Sequence, residues 1–113
     1  MLIALMTLSL AQASTLTVDR FGSGDYTSIQ DAIQAATNGD TISVFPATYF
    51  ESIDFLGKSI EVVSTQGASS TTIDSLGATT NAVTFNSAES LSSILDGFTI
   101  ENTAHGEALF ITP

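Results

Sequence analysis

The sequence of 113 residues contains no cysteine, and this absence excludes several kinds of protein. Without cysteine there is no disulfide framework, no thiolate metal site and no cysteine nucleophile. Charged residues are also scarce, at 12% of the chain, whereas globular domains carry about a quarter. Ser and Thr fill many of the polar positions instead. This composition is typical of many short strands joined by polar turns.

Basic residues are the rarest charged type, because Arg20 and Lys58 face twelve acidic residues and the net charge is −10. A field of this sign repels phosphate backbones and anionic membranes, so we expect neither nucleic acid nor a membrane surface as partner. Polysaccharide lyase chemistry needs a cation beside the uronate and a base for its α-proton, and no such group of residues is visible. We interpret the acidic surface as a solvated face that favours solubility, with cation binding as the alternative.

Long hydrophobic runs are limited to residues 2–10 (LIALMTLSL). This run is too short to span a bilayer as a helix, and an A-x-A cleavage site, Ala11-Gln12-Ala13, follows it. The sequence therefore predicts a signal peptide over residues 1–13, cleaved before Ser14, although no Lys or Arg precedes the run. An ordinary buried strand is the alternative. We expect a secreted or cell-surface protein, periplasmic or extracellular, without membrane insertion after removal of the signal.

Residues 25–49 carry the strongest local pattern, which predicts a short helix followed by a strand. Thr27 and Gln30 have the spacing of a capping box at the start of the helix. Asn38-Gly39 supplies a left-handed exit at its end. The apolar stripe is narrow, so the helix suits a lid over the end of another structure. The stripe consists of Ile29, Ala32, Ile33 and Ala36.

Apolar-x-apolar triplets recur from Thr41 onward, and each predicts a short strand with two side chains inward and one outward. The loops vary in length and no Asn-Gly hairpin separates two strands, so an antiparallel meander is disfavoured. The pattern favours parallel strands that stack from one lap of the chain to the next. The triplets are Ile42/Val44, Ile53/Phe55, Ile60/Val62, Val83/Phe85, Phe98/Ile100 and Leu109/Ile111, and residues 70–74 form a weaker strand.

Several short motifs in residues 15–74 occur together in one known family. They comprise a glycine-rich turn, the I-Q-x-A-I helix, G-D-x-I-x-V, a Pro and Tyr turn, K-x-I and a closing I-D. In this arrangement the segment resembles the opening of right-handed parallel β-helix proteins of the pectin-lyase-like superfamily, especially pectinesterases and secreted right-handed β-helix repeat proteins. Residues 94–102 (ILDGFTIEN) are similar to a later coil. The matching residues are Tyr26, Ile29, Gln30, Ala32, Ile33, Gly39, Asp40, Ile42, Val44, Pro46, Tyr49, Glu51, Lys58, Ile60, Ile73 and Asp74.

The resemblance implies the fold and a polysaccharide partner, but it supplies no catalytic residue. In the relatives, catalytic side chains project from coils beyond this length, and none can be matched here. The family's Pro-Gly-x-Tyr is Pro46-Ala47-Thr48-Tyr49, and Ala47 costs about 1 kcal/mol if its φ is positive. A strand end at the C-terminus would leave open edges, with Phe110 facing outward, so we expect the N-terminal portion of a longer protein.

Other candidate site residues have both a functional and a structural interpretation. His105 could join a hydrolytic triad, but no G-x-S-x-G elbow exists and a turn histidine is usually polar filling. Tyr26 and Tyr49 could stack on sugars, yet their motif positions favour packing. Carboxylates at three positions could form a calcium-binding column, or cap turns and face solvent; they are Asp54, Asp74 and Asp96. Asparagines near strand ends could form a structural ladder: Asn81, Asn86 and Asn102.

Together these patterns predict an all-β right-handed parallel β-helix, a solenoid with an N-terminal capping helix, truncated after about three to four coils. Residues 14–113 would form its cap and first coils. We expect the scaffold of a secreted carbohydrate-associated protein, with no complete active site, no catalytic, cofactor or metal residue, and a polysaccharide as partner. A non-enzymatic adhesin-like or structural cell-surface protein is the alternative, and only the wider protein could be a lyase or pectinesterase-like hydrolase.

Overall fold

The structure is a computed structural model that describes residues 12–77, 81–85, 93–103 and 109–111. Most of the predicted signal peptide lies outside these ranges, as do His105 and Asn86. The side chains of residues 109–111 also lie outside the description, so the predicted outward position of Phe110 is not addressed.

One helix and ten short strands form within the described residues. The strands contain two to four residues each, in keeping with the short triplets of the sequence. In chain order the elements are β1 (Thr15–Val18), α1 (Ile29–Ala35), β2 (Thr41–Val44), β3 (Ala47–Tyr49), β4 (Ile53–Asp54), β5 (Glu61–Ser64), β6 (Thr71–Asp74), β7 (Val83–Phe85), β8 (Ile94–Asp96), β9 (Thr99–Glu101) and β10 (Leu109–Ile111).

The strands pair in parallel in three separate sheets. The first sheet has the order β1-β2-β5-β8, the second β3-β6-β9, and the third β4-β7-β10. From β2 onward, successive strands enter the first, second and third sheet in rotation. The register aligns Ile42 with Leu16 on one side and with Val62 on the other, so apolar residues face the same side across neighbouring strands. The predicted parallel pairing is therefore confirmed.

The core lies between the three sheets and the helix. Ile42 and Val44 are buried on either side of half-buried Ser43, which confirms the inward and outward alternation predicted for this strand. The triplets around Asp54 and Glu61 show the same alternation. Phe55 stacks on Phe85 with ring centroids 4.1 Å apart. Full burial of one such large apolar side chain stabilises the fold by about 1.5–3 kcal/mol.

The predicted fold class, an all-β right-handed β-helix with the helix as a lid, is wrong. The described residues form three small parallel sheets and one helix, which is a mixed α/β arrangement. The physical reason is the depth at which α1 is packed. Ile29, Ala32 and Ile33 have no exposed surface and contribute to the same core as the strands, so the helix is an integral part of the fold.

The helix ends also differ from the sequence prediction. Ser28, and not Thr27, is the N-cap, and its hydroxyl accepts the N–H of Asp31 at 3.4 Å. The helix stops because Ala36 is extended, with φ −69° and ψ 153°. The Gly39 φ of +94° belongs to the turn after the helix. Ala47 has no positive φ, so the conditional cost at that position does not arise.

Two charged residues that flank β4 in sequence hold the two ends of α1. The Glu51 carboxylate accepts the N–H groups of Ile29 and Gln30 at 3.1 and 2.8 Å, and the Ser28 hydroxyl at 3.1 Å. The Lys58 ammonium donates to three carbonyl oxygens at the other end, at 2.7, 2.8 and 2.7 Å, those of Ile33, Gln34 and Ala36. The acid therefore lies at the positive end of the helix dipole and the base at the negative end.

The first strand of each sheet has its outer edge occupied. Residues 25–26 run along β1, where the Tyr26 N–H donates to the Thr17 carbonyl at 3.0 Å. The Gln30 side chain donates to the Asp54 carbonyl at 3.2 Å and accepts the Asp54 N–H at 2.7 Å, which occupies the edge of β4. Arg20 donates to the Thr48 carbonyl of β3 at 2.7 Å. The last of these hydrogen bonds fixes the Arg20 side chain to the second sheet.

Candidate functional site

Among the described residues, Arg20 is the basic side chain that remains available to a ligand. The chain has only two bases, and the Lys58 ammonium uses its three donors on helix carbonyls. Within the described residues the Arg20 guanidinium makes one hydrogen bond, from Nη1 to the Thr48 carbonyl, and no ion pair. A guanidinium has five N–H donors in a planar fork, so most of its hydrogen-bonding capacity is unused.

Two exposed aromatic rings flank this guanidinium. Its central carbon lies 4.7 Å from the ring centroid of Phe50 and 5.8 Å from that of Phe21, both within the range of cation–π attraction. Phe50 is 48% exposed and Phe21 is 77% exposed, and large hydrophobic side chains in such positions gain little from the core. We call Arg20, Phe21 and Phe50 the Arg20 surface.

Local structure explains why these rings face solvent. Tyr49 points inward and is buried, so the next residue along the chain, Phe50, points outward. Phe21 lies in a turn in which its N–H donates to the Asp19 carboxylate at 2.9 Å and the Gly22 N–H donates to the Asp19 carbonyl at 3.0 Å. The turn therefore projects the Phe21 ring away from the core.

An open cleft of about 310 Å³ adjoins the Arg20 surface. Glu51 lies in its wall, but the Glu51 carboxylate is bound to the start of α1 and keeps a fixed position. The cleft thus combines a cation, an aromatic face, a carboxylate and hydroxyl groups. It is lined by Arg20, Thr27, Ser28, Tyr49, Phe50 and Glu51.

This combination suits a sugar ring better than it suits bond-breaking chemistry. The C–H face of a sugar packs on the electron-rich face of an aromatic ring, while its hydroxyls exchange hydrogen bonds with charged and polar groups at the rim. Two other clefts, of about 530 and 340 Å³, are larger but contain no base and no aromatic ring. Their linings include Leu76 and Asn102 in one and Asp40 and Glu61 in the other.

Of the tyrosines considered for sugar stacking, Tyr49 packs inside the protein and Tyr26 packs against its core. Tyr49 is buried and its hydroxyl donates to the Phe45 carbonyl at 2.7 Å, and burial raises the pKa of this phenol above its usual 10.0. Its hydroxyl also accepts the Arg20 backbone N–H at 3.4 Å. Tyr26 is half-buried against the core. The structural interpretation of both tyrosines is confirmed.

The three aspartates of the hypothetical calcium column do not come together. Asp54 lies in the third sheet, Asp74 in the second and Asp96 in the first. Asp54 and Asp74 each accept the N–H of the leucine two residues later, at 2.8 Å, which is the turn-capping role. Asn102 donates to the Asp74 carboxylate at 2.9 Å. Across the described ranges no group of three or more His, Cys, Asp or Glu could hold a metal ion.

Sequence reasoning missed the residues of the Arg20 surface. The inward position of Tyr49 was predicted, and strand alternation applied to that residue would have placed Phe50 in solvent. No local signal marks the approach of Arg20 to Phe50, because 30 residues separate them in sequence and the turn before the helix brings them together.

Comparisons with protein-family models, with curated proteins and with solved structures found no match. Among the described residues, no helix has the length and apolar character needed to cross a membrane.

Proposed function

We propose that this chain is the scaffold portion of a secreted carbohydrate-associated protein, and that the Arg20 surface binds polysaccharide. The observation that carries the proposal is an arginine with unused donors between two exposed phenylalanine rings, beside an open cleft. The resemblance of residues 15–74 to pectinesterase-type sequences supports the same ligand class.

The preferred ligand is a neutral polysaccharide. The net charge of −10 repels a polyuronate, Glu51 lines the same cleft as Arg20, and Asp19 is the residue before Arg20 in the chain. A neutral sugar avoids this repulsion and still uses the rings and the guanidinium donors. We therefore expect binding to a neutral glucan or galactan to vary little with salt, whereas any binding to polygalacturonate strengthens as salt screens the repulsion.

The binding test compares Phe50→Ala with the control Leu76→Ala. Leu76 is also a large apolar side chain, is 67% exposed and lies outside the cleft. Affinity gels containing neutral polysaccharides or polygalacturonate measure retardation of the full chain. Loss of one aromatic contact should weaken binding about fivefold or more, while Leu76→Ala should leave it unchanged. Absence of retardation in every gel, or equal effects of the two variants, contradicts the proposal.

A non-enzymatic structural or adhesin-like role is the second candidate, and it shares the binding surface. The cleft beside Arg20 contains one carboxylate among its lining residues, Glu51, and that carboxylate is bound to the start of the helix. Incubation of the purified chain with polygalacturonate tests this point. Release of unsaturated product or of methanol above the blank would show that the chain is itself an enzyme.

A further inference from the structure

The start of β1 is anchored by one residue, Ser14. Its backbone N–H donates to the Asp40 carboxylate oxygen Oδ1 at 2.9 Å, and its hydroxyl donates to the same oxygen at 3.3 Å. Its carbonyl accepts the Thr41 N–H at 2.9 Å. The two preceding residues, Gln12 and Ala13, are exposed and make no hydrogen bond to the described part of the chain. Within the described residues, the hydrogen-bonded structure thus begins at Ser14.

Asp40 is buried, and its two carboxylate oxygens accept hydrogen bonds from different residues. Only 4% of this residue is exposed. Oδ2 accepts the N–H and the hydroxyl of Thr37, at 2.9 and 3.2 Å, while Oδ1 is left to Ser14. The backbone hydrogen bonds from Thr37 and then Ser14 hold the pKa of Asp40 below its usual 3.8, so the carboxylate is charged at neutral pH.

We infer that the peptide bond between Ala13 and Ser14 is a processing site, and that Asp40 receives the amine that cleavage creates. Hydrolysis adds one water across this bond: Ala13 leaves as a carboxylate, and the Ser14 nitrogen takes up protons to become an ammonium. A neutral amide donor is thereby replaced by a cation at the same distance from Oδ1. The exposed Gln12 and Ala13 allow the bond to be reached, and no hydrogen bond described here is lost with them.

The new ion pair makes the stability of the processed chain depend on pH near neutrality. An α-amine has an ordinary pKa of about 7.7–8.0, and an adjacent carboxylate raises it in the folded state. The added stability is then fully present below that ordinary value and is lost as pH rises through the folded value. Of the other charged groups nearby, Glu61 of β5 lines the same cleft as Asp40, and the Lys58 ammonium lies against the helix carbonyls.

The experiment compares the chain recovered after export with the full chain made without export. N-terminal sequencing of the exported form should begin at Ser14. Its unfolding midpoint should exceed that of the full chain at pH 6, and the difference should disappear by about pH 10, where the amine is neutral. An exported chain that begins elsewhere, or a difference in stability that does not change with pH, overturns the inference.

A second measurement reads the ion pair directly and needs no comparison of stability. The Ser14 amine of the exported chain is dimethylated with ¹³C-formaldehyde, and its pKa is read by NMR in the folded protein and in urea. We expect a higher pKa in the folded protein, with each unit equal to a tenfold gain in the folding constant. Asp40→Asn should abolish the difference, whereas Glu61→Gln should reduce it only slightly. Equal pKa values in both states would disprove the ion pair.

Discussion

Replacing Lys58 by methionine tests whether charge at the helix ends holds the fold together. Methionine keeps most of the apolar stem but removes an ammonium that donates to three carbonyls. The bond to Gln34 is exposed, and water can replace it at little cost. The bonds to Ile33 and Ala36 are partly buried, so their carbonyls lose a charged donor without full compensation.

The expected loss follows from these two bonds and the helix dipole. Each partly buried bond should cost about 1 kcal/mol, and loss of the cation at the negative helix end about 0.5 kcal/mol more. The free energy of unfolding should therefore fall by about 2–3 kcal/mol. For a domain of this size the midpoint of thermal unfolding should fall by roughly 10–20 °C.

The assay is urea and thermal denaturation followed by circular dichroism, with Arg20→Met as the matched control. Both variants change the net charge from −10 to −11 because each removes one base. Arg20 donates only one side-chain hydrogen bond, so its loss should cost about 1 kcal/mol or less. If the two variants lose equal stability, the bonds from Lys58 to the helix carbonyls are not a main support of the fold.

Three further predictions concern single side chains. Glu51→Gln should lower the free energy of unfolding by about 1–2 kcal/mol, because an amide group can no longer accept all three donors at the helix start. The control is Glu101→Gln, which removes an exposed carboxylate and should change the free energy of unfolding little. Equal losses of the two variants in denaturant titrations would refute this role of Glu51. Leu56→Asn should stabilise the chain by about 1 kcal/mol, because Leu56 is half exposed at φ +57° and asparagine tolerates this backbone better; an unchanged thermal midpoint would count against the strain. Because the pKa of Asp40 is lowered in the folded state, the stabilising effect of this carboxylate should be complete above pH 3.8 and fade as pH falls through the folded pKa. Asp40→Asn should reduce the loss of stability at acid pH. An unaltered dependence of stability on pH would contradict this role of Asp40.

Local periodicity predicted most of the strands, because each inward position needs only its immediate neighbours to define it, but it did not predict β3, which lies where a turn was expected. Ile42 and Val44 lie where alternation puts them, and the absence of hairpin turns indicated parallel pairing. The helix stripe was predicted for the same reason, and burial of Ile29 and Ile33 confirms it.

The errors arise where distant residues compete with local signals. Thr27 and Ser28 are both good N-cap residues, and the choice depends on Glu51, which lies more than 20 residues away and binds the Ser28 hydroxyl. Gln30, predicted to complete a capping box, brackets the backbone of Asp54 instead. The fold class was wrong because a narrow apolar stripe suggested a peripheral lid. In the structure the residues of this stripe are buried in the same core as residues of the strands.

The bonding of α1 from both ends has a consequence for folding. A helix of seven residues is too short to persist alone in water, so it cannot form ahead of its partners. Glu51 and Lys58 lie on either side of β4 in the sequence. Because they bind the two ends of α1, both must be in position before the helix has all its hydrogen bonds. The helix and the first strand of the third sheet should therefore open and close as one cooperative unit. Native-state hydrogen exchange should give their amides a common opening free energy.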